Sequence, residues 1–211
     1  MQNPILLALE FLFLFLALPL LIFYRLLPNL PIPYLLLVGL FAFLVLRRDP
    51  TFDTTRLFSL REISPNLRAL LLRDALFLFL LGLAVRLFAP ELLFTLVKGS
   101  PGFWTLLMLF YPLFSVLPQE LLYRAFFFHR YQRLFGSGRT MLLASAVAFG
   151  FAHIILGNWV AVVLCSIGGF LFALTYRHSG SLPLTCIDHA LFGNFIFTIG
   201  LGHFFYHGAL L

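Results

Sequence analysis

The chain has 211 residues, of which 62% are hydrophobic and only 10% charged, with a mean hydropathy of +1.02 and a net charge of +6. A soluble domain carries roughly 25% charged residues, so there is too little polar surface here to coat a water-soluble globule. The solvent must be largely lipid. The basic balance does not indicate a nucleic-acid partner: the arginines lie between apolar runs, where membrane proteins carry their topology signals.

Taken in order, the apolar runs predict about seven transmembrane helices: Pro4–Tyr24, Pro31–Leu46, Leu70–Ala89, Phe103–Phe128, Met141–Leu156, Trp159–Tyr176 and Leu182–Phe205. The first has no basic residue before it and no convincing cleavage site. It reads as a retained span rather than a signal peptide. The fourth holds Pro112 and Pro118, which predicts a kink or break. Gly157 and Asn158 predict a tight hairpin between the fifth and sixth. The polar stretch Arg47–Arg68 reads as a solvated cytoplasmic loop. Cys165 and Cys186 read as small apolar-environment residues with no disulfide framework. The fold class is therefore all-α, a polytopic transmembrane bundle forming one membrane domain over residues 1–211.

Arginines sort the ends of the bundle. Arg47, Arg48, Arg56, Arg61 and Arg68 follow the second span; Arg130, Arg133 and Arg139 follow the fourth; Arg177 follows the sixth. Arg25, Lys98 and the nearby Arg86 fall to the other side. The positive-inside rule predicts a cytoplasmic N-terminus and a C-terminus on the opposite face.

Ionisable side chains at bilayer depth cost roughly 2.5–3.5 kcal/mol even on mild scales, so they mark function. Glu120 and Arg124 lie four apart and can pair on one helix face. His153, one turn after Phe149, and His189 lie on later spans. Counted from the basic helix ends, Glu120, His153 and His189 all fall about 15–21 Å into the membrane. A carboxylate and two imidazoles at one level suit a general base with partners that stabilise an oxyanion. His203 and His207, four apart near the C-terminus, read as an interfacial rim, with a metal site as the alternative.

The series Gln119-Glu120-Leu121-Leu122-Tyr123-Arg124, then Phe149-x-x-x-His153, then His189 with Asn194 resembles the motifs of the CPBP intramembrane proteases. These include the type II CAAX prenyl endopeptidases and bacteriocin-processing and abortive-infection-like proteins. The family pattern is Glu-Glu-x-x-x-Arg, Phe-x-x-x-His and His-x-x-x-Asn/Asp on separate helices, and the matching core spans about residues 111–202. The resemblance implies a hydrolase in a bacterial inner membrane, acting on a membrane-anchored or lipid-linked peptide or protein. Glu120 would activate water and Arg124 would orient or charge-balance it. His153 and His189 would hold the water and the oxyanion, with Asn194 a further donor. Gln119 and Phe149 support the site. The two histidines and the glutamate could ligate zinc, but no His-Glu-x-x-His helix is present, so metal-free, glutamate-based hydrolysis is expected, without a cofactor.

Two departures leave alternatives open. Gln119 replaces the first of the family's two glutamates, so either Glu120 is the base, or it only pairs with Arg124 and the protein is an inactive immunity or scaffold protein. Gly193 occupies the family's Asn/Asp position, and Asn194, one residue on, is turned by about 100°. A small transporter or proton relay also fits buried Glu, Arg and His, but not the motif order.

Overall fold

A computed structural model describes residues 3–205 and is all-helical over them, with no strand. Six helices are long and apolar enough to cross a membrane: α1 (Pro4–Phe23), α2 (Pro31–Arg48), α4 (Pro101–Arg130), α5 (Arg139–Leu156), α6 (Trp159–Ser179) and α7 (Leu182–Ile199). The count rises to seven if α3 (Ile63–Phe88) and Pro90–Gly99, a pair bent by 112°, make one span.

Local chemistry sets the ends. Asn3 accepts the Ile5 N–H ahead of Pro4 at the start of α1, which satisfies a donor the first turn leaves free. Gly157 at φ +70° turns the chain after α5, and Asn158 caps α6 by accepting the Ala161 N–H at 2.9 Å. This is the hairpin that Gly157 and Asn158 predict.

The prolines do not break α4. The chain widens into π turns over Pro112–Val116, just before Pro118, and again over Leu121–Phe126. Phe13–Ala17 widens the same way before Pro19 in α1. A wider turn absorbs the hydrogen bond that proline cannot make, so the expected break becomes local unwinding within one continuous span.

The third span begins at Ile63, seven residues before the predicted Leu70, because Ser64, Asn66 and Arg68 interrupt the apolar run there. The preceding loop is not wholly solvated. Phe52 and Leu57 are buried in the main core, and Asp49 meets the His129 ring at 2.9 Å. The Thr51 hydroxyl, with His129, holds the Asp49 carboxyl down at about 2. A depressed carboxylate contributes stability above its ordinary 3.8 and loses it as pH falls towards 2, so this anchor holds at physiological pH.

Small residues let the helices around the site approach closely. A Cβ on Gly169 would meet Phe149 Cβ at 3.2 Å and Ala146 Cα at 3.4 Å, and Gly150 lies against Ser166. This small-residue contact between α5 and α6 is how helices pack where no hydrophobic force drives them together. Across the bundle, a Cβ on Gly39 of α2 would come within 2.9 Å of Pro118 Cβ. That contact holds the turn of α4 that carries Gln119 and Glu120.

Candidate active site

Glu120 is fully buried, and its two oxygens have different neighbours. Oε2 lies 3.2 Å from Arg124 Nε, and Oε1 lies 2.8 Å from His189 Nδ1. An ionised carboxylate accepts only, so the His189 Nδ1 carries the proton and donates. His189 Nε2 is then an acceptor, and the Tyr111 hydroxyl donates a hydrogen bond to it at 2.9 Å. The result is a Glu120–His189–Tyr111 relay joining α4 to α7.

Arg124 is also fully buried. It donates to the Ser145 hydroxyl at 2.9 Å and the Tyr123 carbonyl at 3.1 Å. Its guanidinium lies 5.1 Å from the Phe149 ring centre and 5.9 Å from that of Phe172, within cation–π range. Phe172 stacks on the His189 ring at 4.5 Å, and Phe149 meets the same ring edge-on at 5.5 Å. The imidazole is therefore held on two sides by rings and at both nitrogens by hydrogen bonds.

His153 belongs to the same neighbourhood without joining the relay. The last turn of α5 tightens to a 3-10 helix over His153–Leu156, and His153 Nδ1 donates to the Phe149 carbonyl at 2.8 Å. Its Nε2 is thereby left as an acceptor. The Phe149 ring touches both imidazoles, 4.9 Å from that of His153 and 5.5 Å from that of His189.

A cavity of about 660 Å³ opens beside these groups. His153, His189, Tyr111, Phe149 and Gln119 line it; Glu120, Arg124 and Asn194 do not. Of the adjacent pair on α4, Gln119 therefore lines the cavity while the Glu120 carboxylate lies behind His189. Gln119 donates to Ser115 Oγ at 2.7 Å, and its Oε1 has no partner. Asn194 points away from the cavity and its buried Oδ1 is also unpartnered.

The regular turn of α7 places Gly193 on the cavity wall instead, where the Tyr111 ring fills the space a side chain would take. Sequence reasoning missed Tyr111. No local signal marks it, because its role depends on the missing Cβ at Gly193 on another helix.

Sequence reasoning also missed a second buried ionic group, immediately behind His189. Arg73 Nη2 bridges Asp74 at 2.7 Å and Asp188 at 2.6 Å, while Thr175 donates to Asp188 at 2.5 Å. Arg73 and Asp74 inside an apolar run, with Asp188 beside His189, carried the signal. Asp188→Asn is expected to lower unfolding stability by about 1–3 kcal/mol, because the fully buried Asp188 holds Arg73 and Thr175 together, while Arg73, 31% exposed, keeps Asp74 and some water. Asp74→Asn should change it by less than about 1 kcal/mol, since its Oδ1 acceptor survives and Oδ2 has no partner to lose. Unfolding in detergent checks both, and equal costs would refute the asymmetry.

Among the described residues no three His, Cys, Asp or Glu side chains gather to hold a metal ion. His203 bonds to the Gly200 carbonyl, and His207 lies outside the described residues. Both cysteines are free, with Cys165 on the cavity wall.

Residues 101–196 match the family model described as Type II CAAX prenyl endopeptidase Rce1-like, a stretch containing Glu120, Arg124, His153 and His189. No curated protein and no solved structure matches the chain.

Proposed function

From the premise that residues 101–196 carry a CAAX-protease-type domain of membrane endopeptidases, we propose that the chain hydrolyses a peptide bond in a membrane-anchored or lipid-linked peptide. The observation that carries this reading is the Glu120–His189 hydrogen bond, with His189 and the Tyr111 that bonds its Nε2 both on the cavity wall. Glu120 acts through the imidazole rather than on water directly.

In this mechanism Glu120, charge-balanced by Arg124, keeps Nδ1 protonated and strengthens Nε2 as a base. Water gives a proton to Nε2 as its oxygen attacks the scissile carbonyl carbon. The Tyr111 hydroxyl, released from Nε2, donates to the oxyanion, with the Gln119 amide as a second donor. His153 Nε2 accepts the water's other proton as a hydrogen bond and orients it. Collapse of the intermediate breaks the C–N bond, and His189 passes its proton to the leaving amine. One water is consumed, an acid and an amine are released, and no metal or cofactor is required.

One observation favours a second reading. Gln119, not Glu120, is the member of the pair on the cavity wall. If the wall position must be a carboxylate, the chain binds such peptides without cleaving them and serves as a membrane immunity or scaffold protein.

The test is cleavage of a membrane-anchored peptide library by the purified chain in lipid vesicles, read by mass spectrometry of new termini. His189→Gln should lower the rate by about 10²–10⁴-fold, and Tyr111→Phe by about a hundredfold. Full activity in His189→Gln would remove the relay. Silence of the unaltered chain across the library leaves the binding reading in its place.

A further inference from the structure

We infer that the cavity opens on the face of the membrane opposite the arginine-rich one, so that its substrate is an exported or extracytoplasmic membrane-anchored peptide. This rests on the hydrolytic reading for the word substrate, but not for the side on which the site opens.

The arginine-rich ends of the helices come together in space. Thr51, Arg56, His129, Ser137 and Arg177 line one pocket of about 470 Å³, and the Ser181 hydroxyl reaches the Ser59 carbonyl of the loop before α3 at 3.3 Å. This end therefore gathers the loop after α2, the turn after α4 and the turn after α6. It is the cytoplasmic end by the positive-inside rule.

The catalytic cavity lies at the other end. Its wall includes Asn29 and Pro31 from the turn between α1 and α2, Phe103 at the start of α4, Leu156 at the α5–α6 hairpin and Phe205 after α7. The basic residues assigned to that side are Arg25, Lys98 and nearby Arg86.

The rim is apolar and turned outwards: Ile32, Phe103 and Phe110 are 42%, 42% and 49% exposed. From Phe103 to Gln119 the wall of α4 rises by roughly 24 Å. A chain entering at the mouth must therefore pass through the outer half of the bilayer to reach His189 and Gln119. An apolar or acyl-anchored segment can do this; a polar loop cannot without losing its hydration.

The consequence separates this site from a CAAX-type substrate held on the cytoplasmic leaflet. Such a tail would present its scissile bond at the arginine-rich end, on the far side of the relay from the cavity mouth.

The experiment places single cysteines in a Cys165→Ala, Cys186→Ala background. Asn29→Cys reports the cavity mouth and Ser137→Cys the opposite pocket; both positions are exposed. A charged, membrane-impermeant maleimide is applied to spheroplasts and, separately, to inverted vesicles. Asn29→Cys should react at least tenfold faster in spheroplasts, and Ser137→Cys at least tenfold faster in inverted vesicles. Reaction of Asn29→Cys only in inverted vesicles overturns the sidedness, as does reaction of both positions from one side.

Two reporter peptides, anchored with the scissile stretch facing either side, then test the substrate. Cleavage of the extracytoplasmic reporter alone is expected, and cleavage of the cytoplasmic one overturns the assignment. If labelling is as expected but neither reporter is cut, the hydrolytic reading fails while the sidedness stands.

Discussion

Glu120→Gln is expected to lower peptide cleavage by about 10²–10⁴-fold, with the helices still formed. The amide keeps the shape of the side chain but has no charge to hold the His189 Nδ1 proton. It can also donate to that nitrogen, which would move the proton to Nε2 and leave the base already occupied. Arg124 loses its charge partner at the same time, so rates must be normalised to folded protein.

Gln119→Glu separates the two readings. If the relay is the base, the new carboxylate on the cavity wall keeps the activity or raises it. If the wall position must be a carboxylate, the unaltered chain is silent and Gln119→Glu creates cleavage. Cleavage by the unaltered chain that survives Glu120→Gln undiminished would refute the role given to Glu120. All three proteins can be compared on one peptide library in vesicles.

The spans were legible because length and hydropathy alone decide what crosses a bilayer. The pairing of Glu120 with Arg124 was legible because four residues bring side chains together on any helix. Which of Gln119 and Glu120 faces the cavity was not. Neighbouring residues point about 100° apart, and the face is chosen by how α4 packs against α7 and by widened turns on both sides of the pair.

The buried ionic group on the third span was hidden for a related reason. Arg73 and Asp74 lower the local hydropathy, yet they enter the bundle because Asp188 and Thr175, more than a hundred residues later, satisfy Arg73. Tyr111 with Gly193 is the same kind of case. A glycine that departs from the family pattern gains meaning only when a ring from another helix fills its place.

Arg124→Met is expected to be the most destabilising single change in the site, by about 3–5 kcal/mol. Both members of the Arg124–Glu120 pair are fully shielded from solvent, so removing the cation leaves a carboxylate that water cannot reach. His189 is its remaining partner, and Ser145 Oγ loses its donor while the Tyr123 carbonyl keeps only the Ser145 hydroxyl. Methionine fills similar volume between Phe149 and Phe172, so the loss reports charge and hydrogen bonding rather than a cavity.

The double variant Glu120→Gln with Arg124→Met should recover at least about 1–2 kcal/mol of that loss, since no uncompensated charge remains. Arg130→Met gives the contrast. It pairs with Glu10 at 2.6 Å, but with side chains 17% and 22% exposed, so water can solvate the partner left behind. Its cost should stay near 1 kcal/mol. Denaturant unfolding in one detergent measures all four proteins. A cost for Arg124→Met no larger than that for Arg130→Met would show that the buried pair is solvated after all, and that Glu120 is open to water rather than confined behind His189.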